Sequence, residues 1–185
     1  LDDLDGNGIE ITLETPWRVK EVRNGPGGIE LIDQEGVARP GVGHLDIQET
    51  MSHLVEKEMR PLKPGTWIGH VHVHVNDIEA ARVFYSDLLG YPVGMDWSFM
   101  GMLDVHFEGE FEHRIAFNGW QGTGATQRPE GTVGLRHFTL VLPGQAELDA
   151  ALERLASAGV DATPQDGGLM VSDPSGNRVL LVAKR

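Results

Sequence analysis

The segment Ile68-Gly69-His70-Val71-His72-Val73-His74-Val75-Asn76-Asp77 decides how the rest of the chain is read. Successive side chains of a β-strand point to opposite faces, so His70, His72 and His74 share one face and Val71, Val73 and Val75 the other. One face is polar and capable of binding metal; the other suits a core. A strand advances about 3.3 Å per residue, which puts His70 and His74 about 13 Å apart, too far to grip one ion together. At most two of the three can be ligands. Asn76 is expected to cap a following helix, with Glu79 completing a capping box.

From this strand outward a pattern repeats. Ile78, Ala81, Phe84, Tyr85 and Leu88 form an apolar stripe at helical period that ends at Gly90. Strand candidates follow at 92–97, 101–107 and 111–118, punctuated by Gly101, Gly109 and Gly119. After a loop rich in Gly, Thr and Pro (121–134), a second strand with a histidine near its start, Leu135 to Leu142, contains His137. Leu148, Ala151, Leu152 and Leu155 then mark a helix ended by Gly159. His70 precedes Gly90 by 20 residues and His137 precedes Gly159 by 22, the signature of an internal repeat.

The second copy closes with Asp173-Pro174-Ser175-Gly176-Asn177-Arg178 and a final strand. Asp3, Gly6, Asn7 and Ile9 stand at the same spacing as Asp173, Gly176, Asn177 and Val179. Residues 1–15 are therefore expected to be the closing strand of an upstream module that this chain lacks, with Ile9, Ile11 and Leu13 as an apolar face seeking a partner sheet or a second copy of the chain. In this alignment Glu10 matches Leu180. Residues 16–65 read as a connector, with weak strand signals at 19–22 and 29–32 and a short helix over 46–58. Residues 66–185 read as the main domain, with modules at about 66–120 and 134–185. Glu108, Glu110 and Glu112 read as a solvated hairpin turn, His44 and His53 as surface, and Asp104 and His106 as strand residues without an assigned role.

Bulk composition narrows the function. With 28 acidic and 15 basic residues the formal charge is -13, which repels nucleic acid and anionic membranes. There is no cysteine, so a metal must be held by His, Asp or Glu. No run of about 18 apolar residues suggests a membrane span, and a cytoplasmic protein is expected.

The N-D-I-x-x-A-x-x-F-Y-x-x-L-L-G helix, the histidine-led strands and the D-P-S-G-N-R turn resemble the vicinal oxygen chelate superfamily, which includes glyoxalase I, extradiol dioxygenases and antibiotic-resistance proteins. The order of D-G-N-G-I-E, linker and I-G-H-V-H-V-H-V resembles the four-module catechol 2,3-dioxygenase type. The resemblance implies an α+β fold in which paired βαβββ modules form a cupped mixed sheet. It implies His70 and His137 as first-strand metal ligands, Glu10 as a closing-strand carboxylate and His113 as the acid/base histidine. A 2-His-1-carboxylate set suits Fe(II), with Mn and Zn as other candidates. The departure is Leu180, which stands where the last module would carry its carboxylate. The implied activity is ring cleavage of a catechol-like substrate with O₂ by a homo-oligomeric enzyme. The alternatives are a glyoxalase-type isomerase or lyase acting on a dicarbonyl-type substrate, and a metal-free small-molecule binder. Two module pairings stay open: in sequence order, which places His70 with His137, or inner with inner, which places His70 with Glu10.

Overall fold

The computed structural model describes residues 3–4, 6–12, 16–25, 28–41, 46–52, 64–107, 113–127, 129 and 131–184. The chain divides into two units, Leu1–Thr66 and Trp67–Arg185. In the first, the stretch read as a connector is a three-stranded antiparallel sheet of β1 (Val19–Gly25), β2 (Gly28–Asp33) and β3 (Ala38–Pro40). The weak strand signals become real strands because β2 supplies hydrogen-bonded neighbours on both sides. α1 covers Ile47–Ser52, and the rest of the expected helix, 53–58, lies outside the described residues.

The Asp3 to Asn7 segment makes the turn its sequence announces. Asp3 Oδ1 accepts from the Asn7 backbone N–H (2.8 Å), Oδ2 accepts from Asn7 Nδ2 (2.9 Å), and Gly6 takes φ +80°. The expected strand does not follow as a ladder. Gly8 makes a single bridge and residues 9–12 are irregular, with Ile11 71% exposed; Leu13 lies outside the described residues.

The second unit repeats one topology. The first module runs β4 (Val71–His74), α2 (Ile78–Arg82), a π-helical turn (Val83–Leu88), β5 (Val93–Trp97), β6 (Met102–His106) and β7 (His113–Asn118). The second runs β8 (Phe138–Leu142), α3 (Gln145–Ser157), β9 (Thr163–Gln165), β10 (Gly168–Ser172) and β11 (Arg178–Ala183). Their sheets are ordered β4-β7-β6-β5 and β8-β11-β10-β9, each with its first strand parallel to its last. The internal repeat is a structural repeat, and the fold is α+β. Among the described residues no helix is long and apolar enough to cross a membrane.

Two local expectations shift. The helix cap is Asp77, one residue later than Asn76: its Oδ1 accepts from Ala80 N–H at 2.9 Å. Glu79 pairs with Arg82 at 2.6 Å and Asn76 is engaged elsewhere. The helix also does not stay α to its end. Leu89 N–H reaches Phe84 C=O at 3.0 Å, a π-type bond, and adjacent Phe84 and Tyr85 are both buried.

Both modules contribute to one core, with Phe84, Tyr85, Leu103, Ile115 and Phe117 from the first and Leu140, Leu155, Val171, Val179 and Leu181 from the second. Tyr85 stacks on Phe117 with ring centroids 5.2 Å apart. Its hydroxyl donates across the modules to Asp173 Oδ2 at 3.0 Å. Asp173 is buried and also accepts from the N–H groups of Ser175 and Asn177 and from Asn177 Nδ2. From the same turn, Ser175 Oγ accepts from Asn76 N–H and donates to Asn76 Oδ1, while Asn177 Nδ2 donates to the His74 carbonyl. Burial pushes the Asp173 carboxyl above its ordinary 3.8, against the hydrogen bonds from Asn177, Tyr85 and Ser175.

This clamp yields two expected outcomes. Asp173→Ala strands several buried donors and should cost about 3 kcal/mol in urea unfolding, whereas Tyr85→Phe, which removes one donor, should cost about 1 kcal/mol; equal losses would show that the turn does not depend on the carboxylate. Both tyrosines of the chain are held protonated in the fold, Tyr85 well above 10.0 through burial and then Asp173, and Tyr91 raised to about 12 by burial. Stability from their raised values is complete below pH 10 and declines as pH rises above it, where only the unfolded chain ionises. Phenolate absorbance should therefore appear together with loss of structure; phenolate formation within an intact fold would contradict this.

Candidate functional site

The alternation read from the sequence holds in β4, where Val73 is buried and His72 and His74 are exposed. Register carries the polar face across the sheet. His72 pairs with Ala116, which pairs with Asp104; His74 pairs with Asn118, which pairs with Met102. In the second module the same positions read Thr139–Leu180–Met170, and Val141 pairs with Val182. One module thus carries imidazoles, an amide and a carboxylate where the other carries a threonine, a methionine and two valines.

Among the expected site residues, His70 lies just before β4, partly buried. His137 lies just before β8, and its Nδ1 is buried with no hydrogen-bond partner among the described residues. Such an orphaned nitrogen costs about 1–3 kcal/mol unless a ligand or water meets it. His113 opens β7 in register with His106; its side chain lies outside what the structure describes, as do Glu108, Glu110 and Glu112. Glu10 belongs to the first unit and is exposed.

The carboxylate position deserves the closest test, because the closing-strand residue that pairs across from the first strand is Ala116 in one module and Leu180 in the other. Neither can bind metal. Among the described residues no three His, Asp or Glu side chains converge on a point that could hold an ion. The described residues of unit 67–185 therefore do not by themselves fit a 2-His-1-carboxylate centre.

Asp104 and Asn118 have no role assigned from the sequence, and the structure brings both into this face. Asp104 is 2% exposed, and its Oδ1 accepts from Met95 N–H at 2.9 Å. Gly94 leaves room for it, since a Cβ there would overlap Oδ1. Asn118, also 2% exposed, bonds to both His72 and His74. Its place at the end of the 111–118 strand candidate, before Gly119, carries no local signal of this role. A cleft of about 620 Å³ in the first unit is lined by residues such as Trp17, Leu31 and Arg39 and contains none of the expected ligands.

Residues 67–181 match the family model described as Glyoxalase/Bleomycin resistance protein/Dioxygenase superfamily. The chain belongs to this superfamily. Among curated relatives, the superfamily member is 32% identical over 174 residues to a catechol-2,3-dioxygenase of Bacillus subtilis (strain 168), covering 94% of this chain and 57% of that protein. It is 30% identical over 119 residues to biphenyl-2,3-diol 1,2-dioxygenase 3 of Rhodococcus globerulus, covering 62% and 61%. The chain thus spans about three fifths of the length of these relatives. A crystal structure of a glyoxylase/bleomycin resistance protein/dioxygenase domain from Frankia sp. EAN1pec superposes with TM-score 0.51 at 22% identity, over 65% of this chain and 93% of that one. That likeness concerns the fold alone.

The steric fit of Gly94 and Asp104 can be measured. Gly94→Ala should destabilise the fold by about 1–3 kcal/mol through overpacking, and most of that loss should vanish in an Asp104→Ala background. Additive effects in the double-mutant cycle would mean that Gly94 does not serve to seat the carboxylate.

Proposed function

We propose that the chain is part of an extradiol-type ring-cleaving dioxygenase that acts on a catechol-like aromatic compound and uses a divalent metal, Fe(II). The observation that carries this is the 32% identity to a catechol-2,3-dioxygenase over 94% of the chain. The proposed ligands are His70, His137 and Glu10, and His113 is the proposed proton carrier. The orphaned Nδ1 of His137 supports an imidazole awaiting a partner. The shared core of the two modules supports His70 and His137 serving one site. Since Ala116 and Leu180 supply no carboxylate, the reading requires one from elsewhere, and Glu10 is the residue proposed for it. When bound, the metal would supply the redox chemistry that joins a catechol to O₂. An imidazole, which can both accept and donate a proton, is suited to moving the substrate proton.

The aliphatic residues at both closing-strand positions favour one second reading, a metal-free binder of small molecules. Anaerobic reconstitution with Fe(II), followed by metal analysis and oxygen uptake with catechol, separates the two. Ring cleavage predicts retained iron and one O₂ consumed per catechol. Retained metal without oxygen uptake would redirect the assignment to an isomerase or lyase, and failure to retain any metal would leave the binder. His70→Ala should lower retained iron about tenfold or more, because a three-ligand site rarely survives loss of a ligand; the same loss in Glu10→Ala but not in His137→Ala supports the pairing of His70 with Glu10, and the reverse supports the pairing of His70 with His137. A variant with undiminished iron removes its residue from the set.

A further inference from the structure

The network joining His72, His74, Asn118 and Trp120 has no part in the proposed ligand set. Asn118 Oδ1 accepts from the Trp120 backbone N–H at 3.2 Å and lies 2.8 Å from His74 Nδ1. A backbone N–H can only donate, so the amide oxygen must face it, and this fixes the orientation of the amide. The nitrogen, Nδ2, then lies 2.7 Å from His72 Nε2 and donates to it. By the same logic His74 Nδ1 must carry the hydrogen. In the neutral imidazole the lone pair is therefore on His74 Nε2, which has no hydrogen-bond partner among the described residues. His74 itself is exposed.

The same amide oxygen that meets His74 also holds the backbone of Trp120, an aromatic surface whose orientation is fixed. Trp120 is 63% exposed, yet its indole N–H donates to the Met100 carbonyl at 3.1 Å and its backbone is held by Asn118. Gly101, at φ +75°, closes the turn next to the ring. The Trp120 ring lies 6.1 Å from that of His72. Phe99 and Met100, also exposed, belong to the same turn.

The fold does not need this polarity. In the second module the pair matching His74 and Asn118 is Val141 and Val182, and the same sheet forms. One amide that both sets a histidine tautomer and holds the backbone of a restrained, exposed indole is a recognition arrangement.

We propose that His74, Asn118 and Trp120 form a subsite for an aromatic ring bearing a hydroxyl group. The indole packs against the ring, His74 Nε2 accepts the hydroxyl hydrogen bond, and Asn118 positions His74. The subsite deepens the aromatic-substrate reading given above, on which its ligand class rests. His74 lies about 13 Å along the strand from His70, so the subsite is separate from that residue and needs neither metal nor O₂.

The test is a titration of the metal-free 185-residue chain with phenol and with anisole, which has the ring but no O–H to donate, followed by ¹⁵N–¹H shift changes. Phenol should shift resonances at 72–74 and 118–120 and bind about tenfold more tightly than anisole, the worth of one good hydrogen bond. Trp120→Ala should weaken both ligands about fivefold or more, while His74→Ala should abolish the preference for phenol. Histidine ¹⁵N shifts should show an unprotonated Nε2 and a protonated Nδ1 at His74, a fixed tautomer that is lost in Asn118→Leu. Val141→Ala should bind as the parent does, and thermal melts confirm that each variant compared is folded. Unchanged phenol binding in Trp120→Ala, or equal affinity for phenol and anisole in the parent chain, would overturn the proposal. Loss of ring cleavage alone would leave it standing, since no turnover is measured.

Discussion

The buried carboxylate of Asp173 is the point on which the two-module unit turns. It closes its own turn through Ser175 and Asn177 and reaches Tyr85 on the helix of the other module. With Ser175 on Asn76 and Asn177 on the end of β4, residues about a hundred positions apart are brought into register. A buried carboxylate is tolerated only when its acceptor sites are filled, so this contact is specific in a way that apolar packing alone is not. The same turn occurs at Asp3 to Asn7 with the same hydrogen bonds, which shows that the motif folds locally. Where it is buried, what it joins is decided by its surroundings.

Repetition of the fold without repetition of chemistry is the second constraint. β4 and β7 present His72, His74, Ala116 and Asn118 at positions where β8 and β11 present Thr139, Val141, Leu180 and Val182. One sheet presents two imidazoles and an amide at these positions, the other a threonine and three aliphatic side chains. The absence of a carboxylate from both closing strands limits what unit 67–185 can hold through its described residues, and it explains why superfamily membership does not by itself assign a reaction.

Several features were beyond sequence reasoning for identifiable reasons. Asp77 rather than Asn76 caps the helix because Asn76 is drawn into a contact with Ser175 that no local pattern encodes. The π turn at 83–88 accompanies the burial of two adjacent aromatic residues, one of them bonded to the distant Asp173, which a regular helical stripe does not anticipate. The sheet of residues 19–40 came from segments whose individual strand signals were weak, since strand formation depends on neighbours more than on composition. Residues 9–12 show the converse, with the right alternation but no assigned strand beyond the bridge at Gly8.

By itself the sequence determined the two-module βαβββ plan, the inward and outward faces of β4 and the turn at Asp173, because side-chain period, glycine placement and turn hydrogen bonding are local properties. It also marked His70 and His137 as strand-opening imidazoles. Only the tertiary structure decided that Ala116 and Leu180 occupy equivalent places, that Asp104 is buried against Gly94, and that Asn118 joins two histidines to Trp120. Each of these depends on strand register between segments far apart in the chain, and register is fixed by the packing of the whole sheet.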